Sequence, residues 1–237
     1  PTPACTRTRP RASSGGPIAP FETRTSTVAT HQFTVREVVR ETPRAVLLRL
    51  DTAGARMSFS AGQAALVGLA GRGGRKPYSI ASAPEEQRRS GLLEFLVESG
   101  PEGVSSPNLA GVGAGSVVDV EGPAGGFVLP RRLPPDLLFI AGGTGIAPLR
   151  AMMSSALARR DLRSITLLYS ARTPQEFAFA AEWQRLSRQG RIRLHRTVTR
   201  GADAGWRGRR GRIQRAWVRA CVRGRDPLCF VCGPDAF

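Results

Sequence analysis

Residues 137–153, "LLFIAGGTGIAPLRAMM", run from an unbroken apolar stretch through three glycines into a helical pattern. A continuous apolar run of that length reads as a strand covered on both faces, as in a parallel sheet. Ile146, Leu149, Met153 and Leu157 then recur at helical spacing, with Pro148 in the first turn. Glycines at a strand–helix junction let the backbone approach a ligand closely, and the helix N-terminus aims N–H groups and a positive dipole at it. In that setting Gly142, Gly143, Thr144 and Gly145 read as a site for a nucleotide pyrophosphate rather than as a plain turn.

The same grammar continues to the C-terminus. "ITLLYS", "RIRLHRTV" and "LCFVCG" are further strand candidates, with helical segments between them. "TPQE" at 173–176 reads as a capping box with proline at the first helical position. Strand and helix in alternation predict a parallel α/β sheet. Towards the N-terminus the period changes to two: Phe33 and Val35; Val46, Leu48 and Leu50; Leu93, Phe95 and Val97; Val118 and Val120. Short alternating runs separated by Gly, Pro and Ser predict an antiparallel sheet or small barrel with one wet face, and "SPNLAGV" is the one short helix expected there. Two domains follow, 28–130 and 131–237. Residues 1–27, rich in Pro, Ser, Thr and Arg with no acid before Glu22, read as a disordered tail, with an organelle transit peptide as the alternative.

The chain of 237 residues is 41% hydrophobic, enough for a sizeable core, and no apolar run approaches the ~20 residues that span a bilayer. A net charge of +17 invites a nucleic-acid reading. Yet Lys76 is the only lysine among 35 basic residues, a ratio that points to genomic base composition rather than to phosphate contacts, and an acidic protein partner is the rival use of the charge. Four cysteines make no disulfide framework, and Cys229 and Cys232, three apart in a strand, face opposite sides; a reduced, cytoplasmic setting is expected. His31 and His195 sit in no arrangement that builds a catalytic triad or a metal site.

Two more segments carry chemistry. The strand "LLYSA" ends at Ser170 and Ala171, followed by Arg172 with no acid until Glu176. An acid at that place would hold a ribose 2′-OH, whereas an arginine accommodates a 2′-phosphate, so NADP(H) is favoured over NAD(H). Cys232 and Gly233 close the last strand, at the sheet edge where open α/β folds bind ligands.

"KPYSIAS", "GVSS", "GPAGGF", "GGTGIAP", "YSART" and "VCGP", in that order, resemble the ferredoxin–NADP reductase superfamily of flavoproteins over roughly residues 28–237. The resemblance implies an antiparallel FAD-binding barrel over 28–130, a nucleotide-binding α/β domain over 131–237, FAD as prosthetic group and a pyridine nucleotide as hydride partner. It implies that Tyr78 and Ser79 flank the flavin, with Ser79 near its N5; that Lys76 and Pro77 belong to the same site; and that Gly103, Val104, Ser105 and Ser106 meet the FAD pyrophosphate. On the other side it assigns Gly142–Gly145, Pro148, Ser170, Arg172, Cys232 and Gly233 to the nucleotide, with Cys232 beside the nicotinamide. Single electrons would pass to or from a separate carrier, an acidic ferredoxin or flavodoxin, since no iron–sulfur ligand set is present. The alternative is a non-catalytic flavin- and nucleotide-binding subunit of a larger complex.

Two departures stand out. Lys76 occupies the place where the family usually has arginine, so either its point charge replaces a planar fork or the loop shifts to present Arg75. Family members also continue past the "CGP" segment, so the chain reads as truncated at its C-terminus.

Overall fold

A computed structural model describes residues 4–8, 29–55, 57–100, 103–104, 106–159, 164–201, 205–222, 227–234 and 237, with 4–8 described by their backbone. The first strand, β1 (Ala4–Thr8), belongs to the second domain. The barrel is built from β2 (Thr30–Thr42), β3 (Ala45–Asp51), β4 (Ala64–Leu69), β5 (Lys76–Ser79), β6 (Leu92–Gly100), β7 (Gly103–Val104) and β8 (Val117–Ala124), with the helix α1 (Pro84–Ser90) between β5 and β6. Its strands run antiparallel in the order β5-β4-β8-β2-β3-β6-β7. Closure comes where Ile80, just past β5, bridges Phe95 of β6. The alternating residues named above meet inside: Phe33, Val35, Val46, Leu48, Leu50, Leu93, Phe95, Val97, Val118 and Val120 share one buried cluster.

The other face of this sheet is not simply wet. Ala45, Leu47, Ala61, Ala81 and Leu96 are buried in a core that they share with the second domain. That domain contains β9 (Asp136–Gly142), α2 (Ile146–Leu157), β10 (Ser164–Ala171), α3 (Ala180–Arg188), β11 (Arg193–Val198), β12 (Arg209–Arg210), α4 (Arg215–Cys221) and β13 (Leu228–Gly233). Its strand order is β1-β13-β9-β10-β11-β12. All neighbours are parallel except β1, which pairs antiparallel with β13. The central strands β13, β9 and β10 are those with the most continuous apolar runs, because helices and the barrel cover both their faces.

Three local expectations need correction. Residues 4–8, expected to be part of a disordered tail, form β1; residues 1–3 and 9–27 of that tail lie outside the described residues. An unpaired edge on β13 is a template for any extended segment, which overrides the segment's poor composition. The helix α1 was passed over although Pro84 opens it, Glu86 accepts from the Ala83 N–H, and Gly91 ends it at φ 71°. Conversely, "TPQE" makes only a single 3₁₀ turn, Pro174–Glu176, without a side-chain cap from Thr173. The helix waits until Ala180 because Phe177 and Ala178 are drawn into the core and the Phe179 N–H is held by Glu41 of β2 at 2.6 Å. Phe179 adopts φ 58°, a left-handed backbone that costs a bulky residue about 1 kcal/mol or more.

Candidate active site at the domain seam

At the C-terminal end of β9 the chain passes through a 3₁₀ turn, Gly143–Gly145, into α2. No side chain caps the N-terminus of this turn or of the helix, and no acid stands in the first turn of either. Gly143 takes φ 52° and has open space where a Cβ would be. Uncapped N–H groups beside open space suit an anion such as a pyrophosphate.

Gly145 serves a different purpose. A Cβ there would lie 2.4 Å from the Cys232 carbonyl oxygen and 2.7 Å from the Gly233 nitrogen, so the two glycine-bearing loops touch backbone to backbone. The ring of Phe237 lies over the same spot, against Gly142 and Gly233. Pro148 is buried in the first turn of α2. Ser170 pairs with Gly142 across the sheet and is buried, whereas Arg172 is exposed. The Arg172 carbonyl accepts the Arg200 N–H at 2.7 Å, which brings a second exposed arginine to the same edge.

Cys232 itself is fully buried and disulfide-bonded, in register with Cys5 of β1. It therefore presents its backbone, not a thiol, to the loop; the expected catalytic thiol requires that bond to be reduced. Cys229 packs in the cluster on the opposite face of the sheet, as its spacing from Cys232 demands.

Sequence reasoning did not single out Tyr169, which braces this loop. Its ring is fully buried, and its hydroxyl donates to the Gly143 carbonyl and accepts the Ala178 N–H, both at 3.1 Å. Burial raises the phenol's pKa well above its ordinary value, so it remains a donor across the working pH range.

On the barrel side the structure brings the "KPYS" and "GVSS" segments together through a residue neither contains. Asn108, 8% exposed, accepts the Tyr78 hydroxyl at 3.2 Å and the Ser106 hydroxyl at 2.5 Å, and donates to the Val67 carbonyl. Lys76 is paired with Val67 across β4 and β5, so it stands beside this hub. Pro77 and Ser79 follow on β5, Gly103 and Val104 form β7, and Ser105 lies outside the described residues.

Between Lys76 and Arg75, it is Arg75 that has carboxylate neighbours. Arg75 bonds Glu121 at 2.9 Å and lies 3.7 Å from Asp119, both on β8. Lys76 is exposed, and among the described residues no carboxylate pairs with it. A cationic side chain beside hydroxyl and amide groups suits a phosphate-bearing cofactor. We expect Lys76→Ala to weaken FAD binding about tenfold, the loss of one charge-assisted contact. Arg75→Ala should leave that affinity within about twofold, because its partners are Asp119 and Glu121. Flavin fluorescence titration of the apoprotein checks both; a reversed ranking would show that the loop is shifted.

Comparison with known proteins agrees with both halves. Residues 31–129 match the oxidoreductase FAD-binding domain and residues 139–237 the oxidoreductase NAD-binding domain. Ferredoxin–NADP reductase B of Sorangium cellulosum is 34% identical over 226 residues, covering 91% of this chain and 87% of that protein. The reductase subunit of an aromatic O-demethylase from an Amycolatopsis species is 31% identical over 242 residues, covering 98% and 68%. The cytochrome b5 reductase domain of Ulva prolifera nitrate reductase superposes with a TM-score of 0.73 over 87% of this chain and 88% of that one; at 23% identity it bears on the fold alone. An FAD-binding barrel joined to a pyridine-nucleotide sheet defines a class, the FAD-dependent NAD(P)H oxidoreductases. Within that class the chain belongs to the ferredoxin–NADP reductase superfamily.

Proposed function

We propose that the chain is the reductase of a multi-component system, drawing electrons from NADPH and passing them singly to a separate acidic carrier protein in the cytoplasm. Bound FAD supplies the chemistry that turns a two-electron donor into single electrons. Lys76, Tyr78, Ser79 and the Gly103–Ser106 segment hold it, with Pro77 shaping the strand and Asn108 aligning two of the hydroxyls. Gly142–Gly145, Pro148, Ser170, Gly233 and the Cys232 backbone form the nucleotide edge, and Arg172 takes the 2′-phosphate. In a reducing compartment Cys232 would return to a thiol beside that edge.

One observation carries the reading: Ala81, two residues beyond Ser79, and Ile146, directly after the glycine loop, are buried in the same core. That shared burial supports placing the two sites along one seam, as direct transfer between stacked rings requires. The carrier in trans is supported by relatives named as reductase components of phenol 2-monooxygenase and terephthalate 1,2-dioxygenase. Its acidity is supported by the charge of +17. Among the described residues no helix is long and apolar enough to cross a membrane.

Steady-state turnover with both nucleotides tests the proposal. Arg172→Ala should raise KM for NADPH about tenfold and leave NADH nearly unchanged, and rates with an acidic carrier should fall as salt rises. An unchanged NADPH/NADH ratio removes the 2′-phosphate role, a salt-independent rate removes the acidic carrier, and protein that stays colourless after FAD reconstitution overturns the whole.

A further inference from the structure

The two halves of the molecule meet around one side chain, Arg150 of α2, five residues beyond Gly145. Its Nη1 donates to the Ala81 carbonyl at 2.9 Å and to Glu94 at 2.8 Å, with Glu86 at 3.8 Å. Its Nε donates to Glu182 at 2.7 Å, and the guanidinium lies 4.6 Å from the centre of the Phe179 ring. One turn along the same helix, Ser154 donates to Glu86 and Ser155 to Glu85, each at 2.7 Å. Ala81 and Glu94 belong to the barrel, Glu182 and Phe179 to the nucleotide domain. A single planar group thus links the helix that opens at the glycine loop to the strand segment that carries Ser79.

Stability is a poor explanation for this arrangement. Burial works against the charged form of Arg150, although Glu182, Glu94 and Glu86 outweigh it and raise its pKa. Replacing a buried ion pair by apolar groups of similar volume is often neutral or favourable. What a planar fork with several fixed acceptors provides is direction. Phe179, held in its left-handed backbone by Glu41, backs the guanidinium and limits its rotation.

We infer that Arg150 is a positioning residue for electron transfer, setting the distance and angle between the nucleotide-bearing end of α2 and the Ser79–Ala81 segment beside the flavin. The inference rests on the oxidoreductase reading above. Transfer between stacked rings is sensitive to placement, and a displacement on the order of 1 Å costs about 100-fold in rate. Coupling is also mechanical: nucleotide bound at the glycine loop restrains α2, and Arg150 carries that restraint to Ala81 and Glu94.

Arg150→Met and Arg150→Lys in the FAD-loaded protein test it. Arg150→Met, which strands the Glu94 and Glu182 carboxylates, should melt earlier yet keep its FAD, bind NADP+ within about threefold of wild type, and lose roughly 50-fold in kcat at nearly constant KM. Arg150→Lys, which keeps the charge without the fork, should recover part of the loss. Hydrogen exchange gives a readout independent of turnover: NADP+ should slow exchange at residues 80–82 and 92–95 in wild type and not in Arg150→Met. Glu94→Gln, which retains the guanidinium, carries the same measurements if Arg150→Met does not fold. Wild-type kcat with transmitted protection in these variants overturns the inference. So does loss of FAD, nucleotide affinity and melting temperature together, which would mark a merely structural role. Wild-type protein that never turns over would overturn the oxidoreductase reading and the electron-transfer role with it, whereas an exchange pattern that still holds would show the mechanical coupling through Arg150 alone.

Discussion

Gly145→Ala is expected to destabilise the protein by about 3 kcal/mol and to reduce NADP+ affinity by about 100-fold. The glycine's own backbone, φ −61°, would suit any residue, so the requirement is steric. The added methyl would sit 2.4 Å from the Cys232 carbonyl oxygen, and the obstacle is backbone on both sides, which no rotamer change can relieve. Either α2 moves away from β13, or β13 is pushed out of the sheet. Both displace the uncapped N–H groups from the edge proposed for the nucleotide. Chemical denaturation and isothermal titration read the two effects. A Gly145→Ala protein with wild-type midpoint and affinity would mean that the loops do not touch. Gly143→Ala makes a useful contrast, since open space surrounds it and its penalty is confined to the positive φ of 52°.

Asn108→Ala should cost about 2–3 kcal/mol and weaken FAD binding about tenfold. Three groups lose their partner, but unequally. The Tyr78 and Ser106 hydroxyls are half-buried and can turn to water. Val67 is fully buried, so its carbonyl is left unsatisfied. Asn108→Asp is the sharper variant. It keeps both hydroxyls as donors yet sets a carboxylate against the Val67 carbonyl, and should be no more stable than the alanine. Urea denaturation and flavin fluorescence check the pair. If both variants hold FAD as tightly as wild type, Asn108 does not align the site.

The comparison between sequence and structure turns on what each residue's role depends on. Leu93, Phe95 and Val97 declare their face by alternation alone, because the sheet's period is local. The glycine loop was equally open to reading, since its strand and helix are its immediate neighbours. Asn108 and Tyr169 were not, because each matters through partners that only tertiary folding supplies: Val67 and Tyr78 for the first, Gly143 and Ala178 for the second. The Lys76–Arg75 ambiguity is of the same kind, since the ion pairs of Arg75 with Asp119 and Glu121 lie on a strand remote in sequence. The helix α1 is a different case. Proline first, acids in the first turn, arginines in the last and a terminal glycine were all present, and the surrounding alternation masked them.

The pairing of β1 with β13 also has a kinetic side. Ala4 stands opposite Gly233, so this ladder joins segments separated by nearly the whole chain. The barrel strands, by contrast, lie within residues 30–124 and close among themselves. On a ribosome the barrel can fold while the second domain is still being made. The β1 segment, synthesised before the barrel, has to wait for β13, a pairing of high contact order. The sheet edge beside Gly233, the candidate nucleotide edge, is therefore completed well after the barrel has taken shape.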